Sequence, residues 1–145
     1  MSKFLLQTAP RVLLGLVFLV GAIDGFLFIA TGSAVVHPPT SARGLQFEQA
    51  LKSAGFLWPL MKTVELIGAA CLLTNRAPAL GLALLSPIIA VVVLFHVFLN
   101  PQGTPLAALL VACGALLLRA YVPSYARLLE PASIAPQAKP RAVRP

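Results

Sequence analysis

The chain has 145 residues, 59% of them hydrophobic and only 10% charged, with a formal charge of +7 and a mean hydropathy of +0.90. That is one domain's worth of polypeptide, and a soluble fold of this size needs many more polar residues to cover its surface. The excess of basic residues does not indicate nucleic acid either. The lysines and arginines lie at the ends of apolar segments rather than on one amphipathic face interleaved with aromatics.

The first apolar segment runs from about residue 12 to 32, after Lys3 and Arg11. Gly32-Ser33-Ala34 could pass as a signal-peptidase site. However, the segment exceeds the h-region of about 7–15 residues and carries Asp24, so it reads as a retained span. A long loop follows, in which His37-Pro38-Pro39 blocks helix continuation. Ser41 can then cap a short amphipathic helix, with Leu45, Leu51 and Ala54 opposite Arg43, Glu48 and Lys52, suited to lie on the membrane or to lid the bundle. Gly55-Phe56-Leu57-Trp58-Pro59 enters the second span, about 56–73, with Trp58 at interfacial depth. This span includes Lys62 and Glu65.

From Ala77 to Leu118 there is no Asp, Glu, Lys or Arg. One span needs about 20 residues, so this stretch holds two, about 79–99 and 105–122. Asn100-Pro101-Gln102-Gly103-Thr104-Pro105 supplies the turn between them. Pro87 is expected to bend the third span near its middle. Lipid offers the backbone no hydrogen-bond partners, so every span must be helical. The expected fold is therefore an all-α, four-helix membrane bundle formed by residues 1–130. Residues 131–145, rich in Pro, Ala and basic side chains, are expected to form a disordered cytoplasmic tail.

Orientation follows from the basic residues. With the N-terminus inside, the cytoplasmic side receives Lys3, Arg11, Arg76, Arg119, Arg127, Lys139, Arg141 and Arg144, and the outside only Arg43 and Lys52. This positive-inside bias places both termini in the cytoplasm of a multi-pass protein, expected in the bacterial inner membrane.

Four ionisable side chains lie within spans and away from the cytoplasmic ends: Asp24, Lys62, Glu65 and His96. A charge at the bilayer centre costs about 2.5–3.5 kcal/mol on insertion scales, so such residues need partners or water. At about 1.5 Å of rise per residue they lie roughly 12, 9, 14 and 5 Å below the outer helix ends. All four thus belong to the outer half, where neighbouring helices could bring them to one pocket. Lys62 and Glu65, at i and i+3, share a helix face and can pair. One reading is structural: the pair neutralises itself, Asp24 is buried against a helix terminus or hydroxyl, and His96 snorkels to the interface. The other is a proton-handling or polar-headgroup site, with His96 titrating near neutral pH and Glu65 or Asp24 exchanging a proton.

Gly21 and Gly25 form a GxxxG suited to close helix packing or dimerisation. Cys71 and Cys113 stand alone and read as small apolar side chains at helix contacts. No phosphate loop, nucleophile triad or metal-ligand spacing is present, and no cofactor is demanded by the residues themselves.

Arg11-Val12-Leu13-Leu14-Gly15, Asp24-Gly25-Phe26, Gly55-Phe56-Leu57-Trp58-Pro59-Leu60-Met61-Lys62, Glu65-Leu66-Ile67-Gly68, Asn75-Arg76-Ala77-Pro78, Ser86-Pro87-Ile88-Ile89 and Phe95-His96-Val97-Phe98-Leu99-Asn100-Pro101 occur in this order. Over roughly residues 11–122 this pattern resembles the DoxX-like membrane proteins. It departs from that family's pattern at Asp24, where relatives usually have Asn, and at Val91, where many have Asn. The resemblance implies a four-helix bundle with Lys62, Glu65 and His96 among recurrent polar positions. It further implies a redox-associated accessory subunit that binds quinone or a membrane oxidoreductase partner. A non-enzymatic carrier or assembly protein for a small solute, lipid or protein, working alone or as a homo-oligomer, is the alternative.

Overall fold

A computed structural model describes residues 4–128; the tail expected at 131–145 lies outside them. A π-helical turn, Phe4–Thr8, leads into α1 (Ala9–Thr31). The short helix α2 (Ala42–Ser53) follows, then α3 (Leu57–Thr74), α4 (Pro78–Phe98) and α5 (Thr104–Ala126). Four helical segments, Leu6–Thr31, Leu57–Thr74, Pro78–Phe98 and Pro101–Ala126, are long and apolar enough to cross a membrane. By length and apolarity the chain is a multi-pass integral membrane protein, and its even number of spans puts the two described ends on the same side.

Local chemistry sets the helix boundaries. α1 ends at Gly32, whose φ of 77° is left-handed and whose N–H bonds Phe28 O at 2.9 Å. Such a conformation closes helices where no Cβ obstructs it. α3 ends the same way on Asn75, at φ 57°, a side chain that tolerates this region better than most. Pro10, Pro78 and Pro105 occupy first-turn positions, where a missing N–H costs nothing. The expected Ser41 cap is present, its Oγ accepting from Gly44 N at 3.1 Å.

Most span limits agree with the apolar segments to within a residue or two. The last span differs, since α5 runs a full turn beyond residue 122. In that last turn Tyr125 packs back on the core, as Tyr121 does just before it, and the Tyr125 hydroxyl donates to Ala79 O at 2.6 Å. Helix α4 continues through Pro87.

Around the bundle the order is α1, α3, α4, α5, with α5 returning to α1; of these contacts, α1 on α3 is the most extensive and α1 on α5 the thinnest. The core gathers Leu14 and Phe18 of α1, Ala69 and Leu72 of α3, Leu82 and Leu85 of α4, and Leu110, Cys113 and Leu117 of α5. Helices α3 and α4 cross where both are glycine. A Cβ built on Gly81 would lie 2.8 Å from Gly68 O, and one on Gly68 would lie 2.6 Å from Leu85 Cγ. Small residues at such crossings let backbones approach in lipid, where dispersion rather than water exclusion drives packing. Cys71 Cβ faces Gly81, and Cys113 is buried in the core. At the end remote from α2, the Arg11 guanidinium donates to Leu72 O, satisfying a carbonyl in the last turn of α3. The outward faces present Leu13, Ile23, Leu80, Leu94, Val111 and Leu118 to lipid.

Candidate functional site

Lys62 and Glu65 sit one turn apart on the face of α3 that meets α1. Lys62 Nζ lies 3.1 Å from Glu65 Oε1 and 2.9 Å from Oε2, and the two residues are only 8% and 4% exposed. An isolated charge at this depth would be expensive, and pairing with short, charge-assisted bonds reduces that cost.

Space for the pair comes from α1. A Cβ on Gly25 would overlap the methylene stem of Lys62, and one on Gly21 would stand 3.4 Å from Glu65 Oε2. The GxxxG pair thus faces α3 inside the bundle, where it houses an ion pair.

Beside the pair lies a cavity of about 560 Å³, within the range typical of small-molecule sites. Its walls are mainly apolar: Val17, Phe18 and Phe28 of α1, Val92 of α4, and Leu106 and Leu110 of α5. Asp24, Lys62 and Glu65 also line it, with Trp58 of α3 and Glu48 and Lys52 of α2. Trp58 is half-buried in the first turn of α3. Its ring is edge-on to Phe28 at a centroid separation of 6.3 Å. Two ammonium groups approach that ring, Lys52 Nζ and Lys62 Nζ, each 4.8 Å from its centroid, and Lys52 also stands 4.4 Å from the Phe28 centroid. Ring quadrupoles attract cations at such distances. The indole Nε1–H is buried and meets no acceptor among the described residues, an uncommon state for a buried donor.

Asp24 is placed differently from the ion pair. Its Oδ1 accepts from the backbone N–H of Val35 at 2.6 Å and of Val36 at 2.9 Å. The carboxylate therefore ties the α1–α2 loop down over the cavity while remaining part of its wall.

His96 stands apart from the cavity lining. Its imidazole packs edge-on to Phe95, with centroids 5.1 Å apart, and fits against Gly103, where any Cβ would overlap the ring. Nδ1 is 3.2 Å from Asn100 O. Asn100, 2% exposed, is the hub of this second polar cluster. Its Oδ1 accepts from Ser41 N at 3.0 Å, and its Nδ2 donates to Pro39 O at 3.2 Å. Ser41 Oγ in turn donates to Leu99 O. The structure thus brings Asp24, Lys62 and Glu65 to one cavity and His96 to the latch that fixes the loop and α2 onto the α4–α5 turn.

Helix α2 lids the bundle. Gly44 packs on the Phe95 ring, and Phe47 stacks tilted against Phe95 at 5.8 Å. Its charged residues Glu48 and Lys52, 3.6 Å apart, face the cavity, whereas Leu45 is exposed. The sequence reading did not identify Trp58, Glu48 and Lys52 as cavity walls, nor Asn100 as a hub. The one available signal was Asn100 itself, a strong hydrogen-bonding side chain in a turn between two charge-free spans. Among the described residues no three His, Cys, Asp or Glu side chains group to hold a metal ion. No family model matches the chain, and neither does any curated protein or solved structure.

Proposed function

We propose that this protein is a quinone-binding membrane subunit of a redox system, an accessory protein rather than a self-sufficient enzyme. In this reading it holds a quinone head group in the cavity beside Lys62 and Glu65, while a partner oxidoreductase exchanges electrons with the ring. One observation carries the proposal: an ammonium with an N–H to spare stands at the wall of a largely apolar cavity.

An ammonium has three N–H groups, and among the described residues Lys62 meets acceptors only on Glu65. A flat ring bearing carbonyl oxygens is the complement of such a wall. One of its oxygens accepts from the ammonium, and its faces rest on Trp58, Phe28 and the aliphatic lining. A bound quinone would supply two-electron, two-proton redox chemistry. The Lys62–Glu65 pair would fix the head group and give it a carboxylate with which to exchange a proton. Asp24 acts in this reading as the loop tether and His96 as part of the latch. The charge bias along the chain orients the α2 end, and with it the cavity, toward the outside.

The test is chemical. The protein is purified from its native membrane in mild detergent, extracted with organic solvent, and the extract analysed by mass spectrometry and reductive titration. A redox-active quinone, recovered near one per protein and lost from Lys62→Met, is the expected result. If the extract holds only phospholipid and added quinone does not bind, the assignment fails and a carrier or assembly role takes its place.

A further inference from the structure

Resting on the quinone reading, we infer that the cavity is loaded sideways from the bilayer, through the cleft between α1 and α5. Its ligand is therefore a long-tailed quinone whose hydrocarbon chain stays in that cleft. The inference comes from which sides of the cavity are closed and which are open.

The side facing the loop end is roofed. Ala34, Val36 and Pro38 of the α1–α2 loop and Glu48 and Lys52 of α2 lie over the cavity. That roof is fastened at separate points: Val35 and Val36 to Asp24, Pro39 and Ser41 to Asn100, Ser41 to Leu99, and Lys52 over the Phe28 and Trp58 rings. A solute arriving from water would have to undo several of these contacts. The α3 side is closed by the extensive packing of α1 on α3.

The remaining side is open to lipid. Leu16 and Val20 of α1 and Leu106 of α5 line the cavity, yet they are 47%, 53% and 39% exposed. The same side chains therefore border the cavity and the outer surface of the bundle. Val20 is the midpoint of α1, so this surface lies at hydrocarbon depth, where water has no access. All three are aliphatic, with no polar group to bind a head group. They suit the passage of a flat ring and the resting place of a chain. Since the tail is in hydrocarbon whether bound or free, it gains little from contact with the cleft. Its effect is to concentrate the ligand in the membrane and to align its head with the opening.

The experiment follows association in lipid nanodiscs by stopped-flow quenching of Trp58, the chain's one tryptophan. The probes are a benzoquinone bearing a long isoprenoid tail and the same ring without it. Val20→Phe and Leu106→Phe narrow the cleft at exposed positions that carry no core packing. Val97→Phe, at an exposed site on α4 outside the cavity, serves as the matched control. The expected result is tenfold or slower association of the tailed quinone in both cleft variants, with the control unchanged and Asn100→Ala, which loosens the roof, no faster than wild type. Equal rates in the cleft variants and the control, or faster loading in Asn100→Ala alone, would overturn lateral entry and leave the quinone assignment standing. Failure of both probes to bind the wild-type protein would remove the two together.

Discussion

Removing Lys62 while leaving Glu65 in place gives the sharpest energetic test of the site. At 2.9 Å and an effective dielectric of about 20, the pair attracts by about 6 kcal/mol, most of which offsets the cost of taking both charges out of water. In Lys62→Met the carboxylate either stays charged without a partner or takes up a proton. The second route sets a ceiling, because protonating an ordinary glutamate with a pKa of about 4.3 costs about 4 kcal/mol at pH 7 and about 1 kcal/mol at pH 5. Lys62→Met is therefore expected to lose about 3–4 kcal/mol at pH 7 and to recover most of it at pH 5. The stability deficit grows as pH rises, since the folded variant needs a proton that the unfolded chain does not hold. The double variant Lys62→Met/Glu65→Leu leaves no buried charge and is expected at or above wild-type stability. SDS-titrated unfolding in mixed micelles at both pH values supplies the free energies. A single variant as stable as the double at pH 7, with no pH dependence, would show that the pair is solvated and would refute the reasoning.

Other consequences follow from the same contacts. Gly25→Val should push into the Lys62 stem and cost about 1–3 kcal/mol in thermal unfolding; in a Lys62→Ala/Glu65→Leu chain, which has neither the stem nor an unpaired carboxylate, the same substitution should cost less. Asn100→Ala removes the acceptor and donor that hold Ser41 and Pro39. A loss of about 1–3 kcal/mol of local stability should speed trypsin cleavage at Arg43 about tenfold or more in proteoliposomes. In a chain with Cys71 and Cys113 replaced by Ala, Ser33→Cys should react with a membrane-impermeant maleimide in intact cells, and Ala77→Cys only after permeabilisation. The reverse pattern would place the α2 end, and the cavity, on the cytoplasmic side.

The spans were legible because they are set by a one-dimensional property, a run of apolar residues closed by Pro, Gly or Asn. The Ser41 cap was legible too, since its bonds stay within one turn. The depth of each ionisable residue could also be estimated, because a helix rises at a fixed rate. Rise fixes height and says nothing of azimuth, however. Asp24, Lys62 and Glu65 turn toward one cavity, while His96, on α4, turns to Asn100. The GxxxG of α1 illustrates the same limit. Gly21 and Gly25 could equally have faced a second copy, and only the rotation of α1 toward α3 makes them a recess for an ion pair. The amphipathic pattern of α2 suits either a membrane-surface helix or a lid and does not say which way Glu48 and Lys52 turn. These two face the cavity, where Phe28 and Trp58 offer the Lys52 ammonium ring faces, a tertiary attraction without a local pattern.

The central claim is that a quinone head group rests against the Lys62–Glu65 pair. It is tested most directly by equilibrium quenching of Trp58 with a long-tailed quinone in nanodiscs, comparing wild type with Lys62→Met/Glu65→Leu. The variant keeps the fold and the cavity and loses the polar contacts. The account predicts saturable quenching in the wild type and an affinity at least tenfold weaker in the variant. Identical curves, or quenching that rises linearly with quinone in both, would contradict it.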